Sequence, residues 1–90
     1  METEVIHVNA SPSVAGDEMK HIGAVITSLR EAYGWRLGKF AEAIETTHSH
    51  LSNIEAGRKR CTPEMARRIA DTLGVPLAAI TTGRPVEEIA

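Results

Sequence analysis

The sequence predicts an all-α domain of five short helices preceded by an N-terminal tail that is flexible or strand-forming. Three observations carry this. Apolar residues recur at three- and four-residue steps from Met19 onward, the period of a helix with one buried face. Helix stops and starts punctuate that pattern, with Gly34, Gly57 and Gly74 ending segments and Thr47 and Thr62-Pro63 opening them. Aromatic residues are scarce: Phe40, Tyr33 and Trp35 are the whole set. The core must therefore be built from Leu, Ile, Val and Ala, which suits packed helices. A chain of 90 residues is the size of one hydrophobic core.

Residues 1–18 read as a tail. Asn9-Ala-Ser-Pro-Ser and Ala15-Gly16-Asp17 are loop compositions. Glu4 to Val8 is rich in β-branched residues and suits a short strand, although no intrachain partner strand is evident. The domain proper spans residues 19–82. Its first helix carries Met19, Ile22, Ile26, Leu29 and Tyr33 on one stripe, with Asp17 or Glu18 near its positive N-terminal end. The second helix turns Leu37, Phe40, Ala41 and Ile44 inward. Its start is weak, because Arg36 lacks the short side-chain oxygen that accepts an N-terminal amide and Gly38 lowers propensity. Packing of Trp35 on Phe40 as a hydrophobic staple would compensate.

Glu45-Thr46 connects to a third helix, His48 to Ala56, capped by Thr47 and buried through Leu51 and Ile54. A basic loop, Arg58-Lys-Arg-Cys, follows. The fourth helix starts at Pro63 with Glu64 next, and Ala66, Ile69, Ala70 and Leu73 form its stripe. Pro76 to Ile80 opens a fifth, short helix. Residues 83–90 read as a C-terminal tail.

Charge and cysteine usage exclude several function classes. Cys61 is the single cysteine, so no intrachain disulfide or multi-cysteine zinc site can form, and a reducing compartment is expected. No apolar run approaches the ~20 residues that span a bilayer. The opening Met1-Glu-Thr-Glu lacks the features of a secretory signal. The expected location is the cytoplasm, with no membrane partner. The Asn9-Ala10-Ser11 glycosylation triplet is then a chance match. Formal net charge is −2, which alone argues against nucleic acid. Its distribution does not: residues 19–82 hold nine basic side chains against six acids, while both ends are acidic. His48 and His50 diverge on a helix at i, i+2 spacing, so no metal is expected. Neither a nucleophile–base pair nor a phosphate-binding glycine loop is present, so no enzyme and no cofactor are expected.

Two short helices joined by a tight turn form the motif whose second helix lies in the DNA major groove. Such a helix needs an apolar face to fix its angle and a short polar face to approach base edges. Here Leu51 and Ile54 supply the first, and His48, Ser49, Ser52 and Asn53 the second. The stretch Ile22 to Ile80 carries Ile22-Gly23, Leu29-Arg30-Glu31, Phe40-Ala41, Leu51-Ser-Asn-Ile-Glu-Ala-Gly-Arg, Thr62-Pro-Glu and Leu73-Gly-Val-Pro. In that combination it resembles the lambda-repressor-like helix-turn-helix family, the Cro/C1 or XRE type of phage repressors, host regulators and antitoxins.

The resemblance implies roles at particular positions. The base-reading positions fall on His48, Ser49, Ser52 and Asn53. The Asn53 amide is suited to bond adenine N6 and N7 together, while His48 suits guanine or a phosphate, and His50 the core edge or a phosphate. Thr47, Arg36, Lys39, Arg58, Lys59 and Arg60 fall where the DNA backbone is touched. Arg30 and Glu55 occupy the positions of a structural ion pair between the first and third helices. Three positions depart from the family pattern. Leu37 stands where Gln often bonds a phosphate, Arg36 replaces the usual Ser or Thr cap, and Glu45 stands where Gly is common and positive φ is needed.

The function implied is a sequence-specific transcriptional regulator of phage Cro or repressor type. It would bind a two-fold operator as a homodimer, since one recognition helix reads only a few base pairs and half-sites lie about 34 Å apart. Dimer candidates are Leu77, Ile80, Val86 and Ile89, or Val5, Ile6 and Val8 as an intermolecular strand. A chain of this size is expected to carry no appended sensor or protease domain. The runner-up is an antitoxin that binds a toxin protein through the acidic N-terminal tail and regulates its own operon. A third reading is an interaction module that no longer binds DNA.

Overall fold

The computed structural model describes the backbone of residues 3–81 and the side chains of residues 16–81. Five helices follow one another: α1 Thr3–Ala32, α2 Leu37–Ala43, α3 His48–Glu55, α4 Pro63–Leu73 and α5 Leu77–Thr81. No strand occurs among the described residues.

Local chemistry explains the boundaries. Thr47 Oγ1 accepts from His50 N at 3.0 Å and Thr62 Oγ1 from Met65 N at 3.2 Å, each satisfying an amide that the first helical turn leaves unpaired. The start of α2 has no side-chain cap. Trp35 and Phe40, flanking that start, pack with ring centroids 5.3 Å apart, so apolar contact does what a hydrogen bond does elsewhere. Four helices end alike. Just past α1, α2, α3 and α4 an amide returns to a carbonyl five back: Trp35 to Arg30, Thr46 to Ala41 and Arg58 to Asn53, all at 2.9 Å, and Val75 to Ala70 at 3.0 Å. That closure needs a left-handed residue in between, which is Gly34, Glu45, Gly57 and Gly74 respectively.

The core gathers one face of each helix. Ile26 of α1, Phe40 and Ala41 of α2, Leu51 and Ile54 of α3, Ile69 of α4 and Ile80 of α5 are essentially inaccessible, as is Ile44 at the end of α2. Helices α4 and α5 pack on each other and on α1, which also packs on α3, and α3 packs on α2. The α2–α3 pair is thus held to the rest of the domain chiefly through α1.

Four expectations need correction. Helix α1 does not begin near Met19 but at Thr3, so Asp17 and Glu18 sit inside it rather than at its positive end. The stretch Glu4 to Val8, expected as a strand, is helical. A lone extended segment leaves its amide ladder unpaired, whereas a helix satisfies it internally. Tyr33 leaves the α1 stripe: it lies past the helix end, 55 % exposed, and Trp35 fills the core edge instead. Ile80 is 0 % exposed in the chain's own core, so it is no dimer-seam residue. Of the other seam candidates, Leu77 is half-buried against the core. Val86 and Ile89, and the side chains of Val5, Ile6 and Val8, lie outside the described residues. No described helix is long and apolar enough to cross a membrane.

Candidate nucleic-acid interface

The second helix of the pair, α3, shows how each side chain is placed. Leu51 and Ile54 point into the core, and the 3.6-residue turn then sends His48, Ser49, Ser52 and Asn53 to the opposite side. His48 and Ser49 are exposed, Ser52 and Asn53 half-exposed. His48 leans toward the start of α2, its ring being the nearest group to Gly38. His50 is half-buried. No acidic residue lies in the first turn of α2 or α3, so nothing there repels a phosphate.

The angle of α3 is set chiefly by α1. Arg30 Nε donates to Glu55 Oε2 at 2.7 Å and Nη2 to Oε1 at 3.2 Å, a fork-to-fork pair. Side-chain exposure is 10 % for Arg30 and 9 % for Glu55. The remaining Arg30 donor, Nη1, meets the Trp35 carbonyl at 2.8 Å. Thr27 Oγ1 lies 3.0 Å from Glu55 Oε1 and 3.0 Å from the Gly23 carbonyl. Its single proton serves one acceptor at a time. The pair therefore ties three segments together: the last turn of α1, the end of α3 and the α1–α2 turn. A second tie is steric. Gly23 of α1 rests directly on the carbonyls of Ile54 and Glu55, and Gly57, just past α3, rests on Lys20. Any Cβ at either glycine would push the helices apart.

The turn between α2 and α3 carries strain. Glu45 has φ 63°, the left-handed region that costs an L-residue about 1 kcal/mol or more. Arg68 of α4 braces it: Nη1 donates to the Ile44 carbonyl at 3.3 Å and lies 4.0 Å from Glu45 Oε1, while Nη2 pairs with Glu64 at 2.9 Å. Sequence reading missed Arg68, which is 24 positions from Ile44 and belongs to no local motif. Because Glu45 is exposed, its carboxylate adds little. Glu45→Gly is therefore expected to stabilise the domain by about 1 kcal/mol. That is a rise of roughly 4–8 °C in Tm for a domain this small, read by thermal unfolding. A lowered Tm would show that the Arg68 contact outweighs the strain.

The six positions expected to touch the DNA backbone are all exposed, but they do not form one cluster. Arg36 and Lys39 flank the start of α2, and Thr47 caps α3. Arg58 folds back onto α3, where its Nε donates to Asn53 Oδ1 at 2.8 Å. The Asn53 carbonyl also accepts the Arg58 and Lys59 amides, at 2.9 and 3.1 Å. Arg60 points elsewhere, lining an open groove of about 440 Å³ with Glu18, Met19, Ile22, Cys61 and Pro63. Burial pushes the Cys61 thiol up to about 11, so it stays protonated and poorly nucleophilic near neutrality. Among the described residues no group of three or more His, Cys, Asp or Glu is placed to hold a metal.

A family model described as a helix-turn-helix domain matches residues 21–81. No curated protein sequence matches the chain. Among solved structures, two crystal structures of ClgR, the clp gene regulator of Corynebacterium glutamicum, are similar. One has 29 % identity and a TM-score of 0.69 over 73 % of this chain and 70 % of that chain. The other has 29 % identity and a TM-score of 0.68 over 73 % of this chain and 86 % of that chain. The matched residues run from α1 through α5 and cover more than half of the sequence, and the chain belongs to the helix-turn-helix family of DNA-binding domains, lambda-repressor-like (XRE) in type.

Proposed function

We propose that the protein is a sequence-specific transcription regulator of Cro or repressor type, working in the cytoplasm and binding a two-fold operator as a homodimer with α3 in the major groove. The observation that carries this reading is the contrast between the two faces of α3. Its inner face and its end are locked by Leu51, Ile54 and the Arg30–Glu55 pair, while His48, Ser49, Ser52 and Asn53 are short, polar and turned outward. Rigid support behind adaptable hydrogen-bonding groups is what base readout needs, since a loose helix cannot hold donors in register with base edges. Arg36, Lys39, Thr47 and Lys59 serve as phosphate contacts that position rather than specify. The similar solved structures are of a gene regulator, which supports this reading.

Selection of bound DNA from a random duplex pool tests the reading. The wild type is expected to recover a two-fold motif with half-site centres about 34 Å apart. Ser49→Ala and Asn53→Ala are each expected to relax preference in a different part of the half-site. Recovery of no shared motif would overturn specific binding, and a motif without two-fold symmetry would overturn the homodimer.

A further inference from the structure

We propose that Arg58 is a base-reading residue rather than a backbone contact, held against the groove by Asn53 so that the two read adjacent base pairs as one unit. This rests on α3 being the DNA-reading helix. Three bonds tie the loop to one residue of that helix: the Arg58 and Lys59 amides to the Asn53 carbonyl, and Arg58 Nε to Asn53 Oδ1 at 2.8 Å. The first two fix where Arg58 leaves the backbone. The third folds its long side chain along the outer face instead of letting it reach freely toward a phosphate. An arginine that contacts only charge needs no such tether, and an untethered one gives up more rotamer freedom on binding.

The chemistry of the two groups is complementary in this arrangement. With Nε engaged, the Nη1 and Nη2 donors remain as a fork, the geometry that bonds guanine O6 and N7. Asn53 Oδ1 has two lone pairs, so it can keep Arg58 and still accept from adenine N6 while Nδ2 donates to N7. The guanidinium and the amide are separated by a hydrogen bond, a distance comparable to the ~3.4 Å rise between successive bases. An amide on one base edge thus places the fork at its neighbour. Arg60, turned toward the groove beside α1, and Lys59, held to Asn53 only through its backbone amide, lack such a tether. The reading predicts an adenine next to a guanine in each half-site. Asn53 is then a positioning residue for Arg58 as well as a reader.

The experiment is selection from the random duplex pool, with salt titrations, using the full chain as wild type, Asn53→Ala, Arg58→Ala and Lys59→Ala. All of these substitutions are at surface positions and their folding is checked by circular dichroism. Arg58→Ala is expected to erase the guanine preference, a loss of about 5- to 150-fold in discrimination at that one position. Asn53→Ala is expected to relax both the adenine and the neighbouring guanine. Lys59→Ala should weaken all sequences alike and reduce the log–log salt slope by about one. If Arg58→Ala behaves like Lys59→Ala, leaving the motif unchanged, the proposal fails and the DNA-reading role of α3 stands. If Asn53→Ala relaxes only its own position, the coupling fails. If the wild type recovers no motif, the proposal falls together with the function it rests on.

Discussion

Replacing Glu55 with Ala is expected to lower stability by about 3 kcal/mol or more, since breaking one partner of a buried ion pair typically costs 3–5. The loss is not the attraction alone. Arg30 is 8 % exposed, and without Glu55 its guanidinium keeps the Trp35 carbonyl at 2.8 Å and a 3.8 Å approach to the exposed Glu31. A largely desolvated cation with one good acceptor is what makes such truncations expensive. For a small domain the change corresponds to a Tm lowered by roughly 12–24 °C, a large part of a typical margin of about 5–15 kcal/mol. The effect on DNA should be larger still, because Glu55 is the last residue of α3 and its loss leaves only apolar packing to fix the angle of the helix on α1. Thermal unfolding and a binding titration, done together, check both. An unchanged Tm would show that the pair does not hold the helices. The double replacement Arg30→Met with Glu55→Leu is expected to recover much of the stability, since a buried pair exchanged for apolar groups is often neutral or better.

Gly23→Ala should be nearly as damaging, although it adds one methyl group in the middle of a helix, where Ala is usually the better residue. The new Cβ would lie 2.5 Å from the Ile54 carbonyl oxygen and closer still to that of Glu55. Both are backbone atoms of α3, so no side chain can swing aside; the helices themselves must separate. Overpacking of this kind costs about 1–3 kcal/mol, sometimes more, and the displacement also stretches the Arg30–Glu55 pair, so the upper part of that range is expected. Gly38→Ala is the control. A Cβ there meets only the His48 ring, 3.8 Å away, and the gain in helix propensity should raise stability by about 0.5–1 kcal/mol. Opposite signs for the same substitution would identify close backbone approach, not propensity, as the property of Gly23. Equal signs would contradict it.

Those two glycines also mark what a sequence can and cannot disclose. The starts of α3 and α4 are legible because their causes are local: a threonine oxygen reaches an amide three residues on, and proline suits a first turn. The ends of α1, α3 and α4 are legible for the same reason. The inward faces of α2, α3 and α4 follow from periodicity alone. The special nature of Gly23, the brace from Arg68 and the tether between Arg58 and Asn53 are different in kind. Gly23 owes its role to a helix more than 30 positions away, a distance at which no pattern is visible. Arg58 and Asn53 are five apart but straddle a helix end, where spacing rules cease to apply. The Arg30–Glu55 contact, 25 positions apart, is legible only through the family resemblance. Composition misleads at the N-terminus, where β-branched residues suggest a strand that has nothing to pair with. It misleads at Ile80 too, which looks spare for a dimer seam until α5 is seen to fold back onto α1 and α4.

The central claim is that the outward face of α3, with the loop behind it, is the surface that meets DNA. Amide chemical-shift mapping during titration with the selected duplex tests it most directly, because it reports on every part of the fold at once. The largest changes are expected at His48 to Asn53 and at Arg58 and Lys59, with smaller ones at Arg36 and Lys39 and little at α5. Changes concentrated on α4 and α5, with α3 undisturbed at saturating DNA, would contradict the account.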